Sequence, residues 1–191
     1  MPIESSGNAF SERRKTLEDA FFKDRDQQLV EKMRRELESM EETKKLAHVT
    51  GIAEQHVLQG LVQAGVRAET LAAVGLIPMV EVAWCDGSVS KEERDAVLNA
   101  AAKQNISPGT AAYELLGQWL ITRPDAQVIA SWKEYVSEMV KLMPKESLAE
   151  LRKHMLARCK GVAESAGGFL GLATISKSEQ AKIDEFAKVW G

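Results

Sequence analysis

The stretch from Ala9 to Ala47 contains neither glycine nor proline, and this constrains the fold more than any other feature of the chain. It holds ten basic and ten acidic side chains, and several of these are spaced to pair along a helix, such as Glu31 with Arg35. Each pair of this kind supports a helix by roughly 0.2–0.5 kcal/mol, so the pairs help without deciding the matter. Since nothing in the stretch would interrupt a helix, the sequence predicts one long, charged helical arm.

The apolar residues of this arm fall on two faces of the predicted helix. The first face holds Phe10, Leu17 and Phe21, and the second holds Phe22, Leu29, Met33, Leu37 and Met40. The change of face at Phe21–Phe22 predicts either a kink or two halves that dock on different partners. Sustained heptads, which a long coiled coil needs, are missing. We therefore expect the arm to dock on the chain itself, on a second copy or on another protein.

After Thr50 the composition changes to that of a globular domain. Apolar residues recur at helical spacing between turn residues, and the alternating pattern typical of strands is missing. The sequence predicts an all-α, compact helical bundle over residues 51–191, preceded by the arm over residues 9–50 and a flexible N-terminus over residues 1–8. Seven bundle helices are expected, near residues 53–64, 69–85, 90–104, 108–121, 125–142, 146–166 and 177–190.

Composition excludes several classes of function. The net charge of −3 lacks the basic footprint of a nucleic-acid-binding protein. No apolar run reaches the roughly 20 residues of a membrane span, and the N-terminus does not resemble a secretory signal. Cys85 and Cys159 both lie within apolar helical patterns, where a free thiol behaves as a small hydrophobic group. The sequence thus predicts a protein of the reducing cytoplasm.

The segment Cys85–Arg94 carries the clearest local motif. Gly87 can end the preceding helix in a left-handed conformation. Ser90 is a favoured N-cap, and Glu93 three residues later completes the capping box Ser-x-x-Glu. The segment is therefore predicted to form a tight turn between two helices.

The same segment also has the spacing of half an EF-hand, with Asp86 and Glu93 as its carboxylates. The positions of the first two ligands fall on Val82 and Trp84, which offer no side-chain oxygen, so a complete calcium cage cannot form. Asp86 and Glu93 remain candidate metal ligands, with backbone carbonyls, water or Glu81 completing the shell. Capping is the favoured explanation of the spacing, and a divalent cation, the one cofactor considered, is the alternative.

A second capping box repeats the first at an offset of 86 residues. Val89–Glu93 aligns with Ile175–Glu179, and apolar positions of the following helices also align. The acidic turn itself is replaced by Leu172-Ala173 in the second copy. A two-fold internal repeat and a chance similarity of two caps both explain the match.

No set of catalytic residues can be assembled from the sequence. His48, His56 and His154 are scattered, and no metal-ligand spacing links them to the cysteines. Motifs of an activated serine or a phosphate-binding loop are not found. The four tryptophans are expected to belong mainly to the core. The sequence predicts a protein that is not an enzyme.

With these residues assembled, the globular part resembles the TerB-like (tellurite resistance protein B-like) family. The resemblance rests on the apolar helix Leu71–Trp84, the turn Asp86–Glu93 and the amphipathic helix that follows, and it extends over about residues 66–191. It implies a compact helical bundle, in some members with two related halves, and roles in stress response, membrane-associated assemblies and scaffolding. It also implies cation binding at an acidic turn, which here involves Asp86 and Glu93 only. Cys85 replaces the alanine usual in that family.

Two functions follow as hypotheses. The first is a non-enzymatic interaction or scaffold module, related to stress response, that binds a protein partner or self-associates through the arm. The alternative is a divalent-cation binder or sensor that uses the Asp86–Glu93 turn.

Overall fold

The structure is a computed structural model that describes residues 5–166 and 175–191, and the side chains of residues 23–166 and 175–191. The chain forms nine α-helices in the described ranges, and no strand occurs there, which confirms the all-α prediction. The helices are α1 (Ser5–Thr50), α2 (Gln55–Gln63), α3 (Leu71–Val74), α4 (Ile77–Ala83), α5 (Lys91–Ala102), α6 (Ala111–Trp119), α7 (Ala126–Leu142), α8 (Lys145–Ser165) and α9 (Lys177–Ala187). Short 3₁₀ turns precede α3 at Ala68–Thr70 and follow α9 at Lys188–Trp190.

The chain divides into two compact units, Met1–Glu41 and Glu42–Gly191. The first is the arm, and the second is the globular unit, which includes the last residues of α1. Leu46 is fully buried. The pKa of Glu42 is lowered mainly by the hydrogen bond from Lys45, against the effect of burial, and also by a hydrogen bond from the Ala68 backbone. The sequence predicts an arm over residues 9–50. The last part of that range, residues 42–50, belongs to the globular unit.

Within the arm, α1 runs through Phe21–Phe22 as one helix. The side chains of the first predicted face, and that of Phe22, lie outside the described residues. Further along, ion pairs one turn apart hold the surface of the helix: Arg35 donates to Glu31 at 3.3 Å, as predicted, and Arg34 donates to Glu38 at 3.0 Å. These exposed pairs add small increments to a helix that has no breaker.

The core of the globular unit is built around α4. All seven of its residues are buried, and it packs against α5, α8 and α9. A helix whose side chains are all apolar except that of Glu81 suits this central position. On α7, Trp132 packs edge-to-face against Phe186 of α9, with ring centroids 5.0 Å apart. The Trp190 ring centroid lies 6.5 Å from that of Trp132. The expectation that tryptophans build the core is confirmed for Trp119, Trp132 and Trp190, whereas Trp84 is half-buried.

The single helix predicted over residues 69–85 is wrong in one respect, because the chain there forms a 3₁₀ turn and two short helices. α3 ends at Val74, and α4 begins at Ile77 with Pro78 in its first turn. A proline inside a continuous helix would lack its hydrogen-bonding N–H and would clash with the carbonyl four residues earlier. In the first turn of a new helix neither cost arises, so the break falls just before Pro78.

Candidate functional site

The turn between α4 and α5 has the geometry that its sequence predicts. Gly87 adopts a positive φ of 91°, a conformation that favours glycine. The Asp86 carboxylate accepts a hydrogen bond from the backbone N–H of Ser88 at 3.0 Å. The side chain of Asp86 thus closes the turn locally, and it is exposed to solvent.

The predicted capping box is confirmed at the start of α5. Ser90 Oγ accepts from the Glu93 N–H at 3.2 Å, and Glu93 Oε2 accepts from the Ser90 N–H at 2.8 Å and from its hydroxyl at 2.7 Å. Glu93 is only 4% exposed. The two side chains thereby satisfy, each for the other, a backbone N–H that the start of a helix leaves without a backbone partner.

A second capping box lies at the start of α9. Glu179 Oε2 accepts from the Ser176 N–H at 2.6 Å, and Ser176 Oγ accepts from the Glu179 N–H at 3.2 Å. The two boxes are neighbours in space, because the Cys85 thiol beside the first donates to the carbonyl of Ser178 in the second at 3.8 Å. The shared geometry fits both an internal repeat and two separate caps. Leu172-Ala173, the counterpart of the acidic turn, lies outside the described residues.

The proximity of the two boxes affects the titration of Glu93. Burial raises the pKa of its carboxyl, the hydrogen bonds from Ser90 oppose this, and the negative charges of Asp86 and Glu179 raise it further. The carboxylates of Asp86 and Glu179 therefore both act on that of Glu93. Within the described part of the chain, however, no group of three or more His, Cys, Asp or Glu side chains is placed to hold a metal ion.

Of the proposed metal ligands, Asp86 and Glu93 are each already bonded within their own turn. Glu81, proposed as a helper, is engaged elsewhere: Arg123 donates to both of its carboxylate oxygens, at 3.0 and 2.8 Å. Glu81 would have to give up this pairing to assist a cation at the turn, and its help stays a prediction. The cation hypothesis then depends on Asp86 and Glu93 with backbone carbonyls and water.

The Glu81–Arg123 pair was not predicted, although the sequence contains a signal for it. Glu81 lies in the middle of the apolar helix α4 and is only 3% exposed. A carboxylate buried in this way requires a charged partner. Its partner, 42 residues further along, precedes α7 and borders an open groove of about 370 Å³, also lined by Ile129 and Lys133. Lys133 donates to Glu185 at 2.7 Å, so both cations of the groove are already paired.

The other candidate residues do not assemble into a reactive centre. His48, His56 and His154 are all exposed. Both cysteines are free thiols, and burial raises the pKa of Cys85 to about 11 and that of Cys159 to about 12. A thiol with so high a pKa is scarcely ionised near neutral pH and is therefore a poor nucleophile.

The most conspicuous surface of the described chain is an apolar stripe on the arm. We call it the apolar face of α1, and it consists of Leu29, Val30, Met33, Leu37 and Met40. At 3.6 residues per turn these five side chains lie within about 100° of arc around the helix. These residues are 55–65% exposed. Four of them were predicted from their spacing, and the structure adds Val30.

The charges around the apolar face are nearly balanced. Between residues 23 and 41 the sequence has five basic and six acidic side chains. One edge of the face carries Lys32 and Glu36, and the other carries Arg34 and Glu38. A continuous apolar patch rimmed by charges of both signs is typical of a surface that binds another protein.

Comparison with known protein families, with curated proteins and with solved structures finds no match to this chain. The resemblance to the TerB-like family therefore stays a prediction. Also within the described residues, no helix is long and apolar enough to cross a membrane.

Proposed function

We propose that this protein is a non-enzymatic interaction or scaffold module, in which the globular unit carries a helical arm that docks on a protein partner or on a second copy. The observation that carries the proposal is the exposure of the apolar face of α1. Exposed apolar residues scattered singly are ordinary, but five on one side of a helix form a patch of the kind used for binding.

The arrangement fits a known mode of protein recognition. An amphipathic helix binds by laying its apolar side chains, spaced three or four residues apart, against an apolar surface. Leu29, Met33, Leu37 and Met40 have this spacing over about three turns. The surrounding ion pairs keep the protein soluble until the face is covered.

The wider role belongs to the same proposal. The resemblance to the TerB-like family suggests a scaffold related to stress response, and the free thiols of Cys85 and Cys159 suit the reducing cytoplasm. Cation binding at the Asp86–Glu93 turn is the alternative, and no contact in the described chain favours it over capping.

Photo-crosslinking in the native host tests the proposal. A photoreactive amino acid at Leu37 of the full chain, on the apolar face, should capture a specific protein, either a second copy or another chain. Arg35 lies on the far side of the same helix and is the matched control position. Capture at Leu37 should disappear when Met33 and Met40 are both changed to Gln. Equal capture from both positions, or none from Leu37, would reject the proposal.

A further inference from the structure

We propose that the occupant of the apolar face of α1 is the same face of a second copy, with the two helices antiparallel. This inference rests on the proposed function and names its partner. It follows from the spacing of the apolar residues, from the charges at the edges of the face and from one acidic residue that lies one turn before it on the same side of the helix.

The spacing of the face is compatible with a two-fold axis. Leu29 and Met40 mark its ends, Met33 lies four residues after the first, and Leu37 lies three residues before the second. When a two-fold axis passes between the two helices at the level of residues 34 and 35, Leu29 of one copy lies opposite Met40 of the other, and Met33 lies within about 1.5 Å, along the helix axis, of the level of Leu37. Every long apolar side chain of the face then meets another, as an isologous interface requires.

The edge charges favour the same pairing. In an antiparallel pair the same edges of the two helices meet, so Lys32 of each copy lies beside Glu36 of the other. On the opposite edge, Arg34 of each copy lies within about one turn of Glu38 of the other. Both pairs are exposed in the single chain, where Lys32 and Glu36 are 3.9 Å apart and their side chains are 74% and 62% exposed. They can therefore exchange partners at little cost.

Asp26 argues against the parallel alternative. It lies at the angular centre of the apolar face, one turn before Leu29. A parallel, in-register pair would place the two Asp26 carboxylates against each other, and like charges so placed are destabilising. The antiparallel pair separates them by about 25 Å along the helix axis.

The charge balance separates a second copy from other occupants. An anionic membrane or a nucleic acid would require a predominantly basic helix, but acidic residues slightly outnumber basic ones between residues 23 and 41. A self-complementary edge suits a second copy. Because a face of five apolar side chains is small for a stable interface, we expect a dissociation constant roughly in the micromolar range.

Engineered cysteines in the full chain test the geometry. Leu29→Cys and Met40→Cys are prepared separately, with differently sized tags, in a Cys85→Ala background in which the remaining Cys159 is fully buried. Mild oxidation of the mixture should give a disulfide between the two variants, since the antiparallel pair places their Cα atoms within reach of one. Each variant alone should remain uncrosslinked, because its two equivalent cysteines lie about 16 Å apart along the axis.

Sedimentation of the unmodified chain supplies the second measurement. The mass should rise towards twice the monomer mass as the concentration passes through the micromolar range. The variant with Leu29, Met33, Leu37 and Met40 all changed to Gln should stay monomeric. In the matched control, two exposed apolar residues of the globular unit, Ile121 and Leu142, are changed to Gln instead. This control should dimerise as the unmodified chain does.

Three outcomes would overturn the inference. Efficient crosslinking of Leu29→Cys alone would show a parallel pair. A chain that stays monomeric into the millimolar range would exclude the second copy, and so would binding of that monomer to anionic vesicles through the same face. If the chain is monomeric but photo-crosslinking at Leu37 still captures another protein, the proposed function stands and only its partner changes. Failure of both experiments would remove both proposals.

Discussion

Two leucines of α1 allow the division between arm and globular unit to be measured with the same substitution. Leu46 is 0% exposed and Leu37 is 61% exposed, although only nine residues of one helix separate them. Changing Leu46 to Ala removes three buried carbons, which costs about 2.4 kcal/mol in transfer free energy at about 0.8 kcal/mol per methylene. The cavity left in a close-packed core raises the expected loss to about 3–5 kcal/mol. Changing Leu37 to Ala should alter the free energy of unfolding by no more than about 0.5 kcal/mol.

Urea denaturation followed by tryptophan fluorescence gives both values, because Trp132 lies in the core and reports the globular unit. The protein concentration is kept well below micromolar so that self-association through the apolar face does not add to stability. We expect a lower midpoint for Leu46→Ala at an unchanged slope, and an unchanged midpoint for Leu37→Ala. Similar losses of unfolding free energy for the two variants would show that Leu37 is packed as tightly as Leu46. The description of the apolar face of α1 as exposed would then be wrong. The burial of Leu46 also shows where a variant without the arm should be cut: residues 1–41 can be removed, but removing Leu46 as well would damage the core.

Three further predictions concern the globular unit. Arg123→Ala leaves the buried Glu81 carboxylate unpaired and should lower the free energy of unfolding by about 2 kcal/mol. This loss is smaller than for a fully buried pair, because Arg123 is half exposed. Changing both Glu81 and Arg123 to Leu should recover most of the loss, as measured by urea titration. Glu93→Gln keeps the capping box but replaces the carboxyl group, whose pKa is raised by burial and by the charges of Asp86 and Glu179. In the unmodified chain, native Glu93 still holds its proton at a pH where the unfolded chain has released it. The free energy of unfolding of the unmodified chain should therefore fall relative to that of the variant as the pH rises above the ordinary glutamate pKa. A constant difference between the two free energies across that range would contradict this prediction. If a divalent cation binds at the turn, calorimetry with calcium, magnesium and zinc should show heat that Asp86→Asn abolishes, whereas no heat, or heat unchanged in the variant, excludes this site.

Local features were predictable from the sequence, and long-range ones were not. The capping box of Ser90 and Glu93 depends on residues three positions apart, so the pattern Ser-x-x-Glu before a helix was enough to predict it. The break before α4 was also local, and Pro78 was the signal that should have placed it. The Glu81–Arg123 pair joins residues 42 positions apart, and its existence depends on how α4 and the start of α7 pack. The sequence could show that a buried Glu81 needs a cation, but not which cation would supply it.

The apolar face illustrates the same limit from the other side. Its spacing predicted the second of the two apolar faces of the arm, and the described side chains from Leu29 to Met40 do lie on one side of the helix. Spacing alone could not say whether that side is covered within the chain, because Leu37 and Leu46 read alike in the sequence and differ completely in burial. Only the packing of the globular unit separates a core leucine from one that remains available for binding.

Helix formation does not explain the apolar face, and this gives a last prediction. Leucine and methionine favour helices about as much as glutamine does, and the ion pairs Arg34–Glu38 and Glu31–Arg35 lie outside the face. The variant with Leu29, Met33, Leu37 and Met40 changed to Gln should therefore keep the far-ultraviolet circular dichroism of the unmodified chain at a concentration where both are monomeric. Its midpoint of urea unfolding should also be unchanged. A marked loss of helix signal under these conditions would mean that the face packs within the chain. Retained helix together with lost association would mean that these side chains serve binding rather than folding.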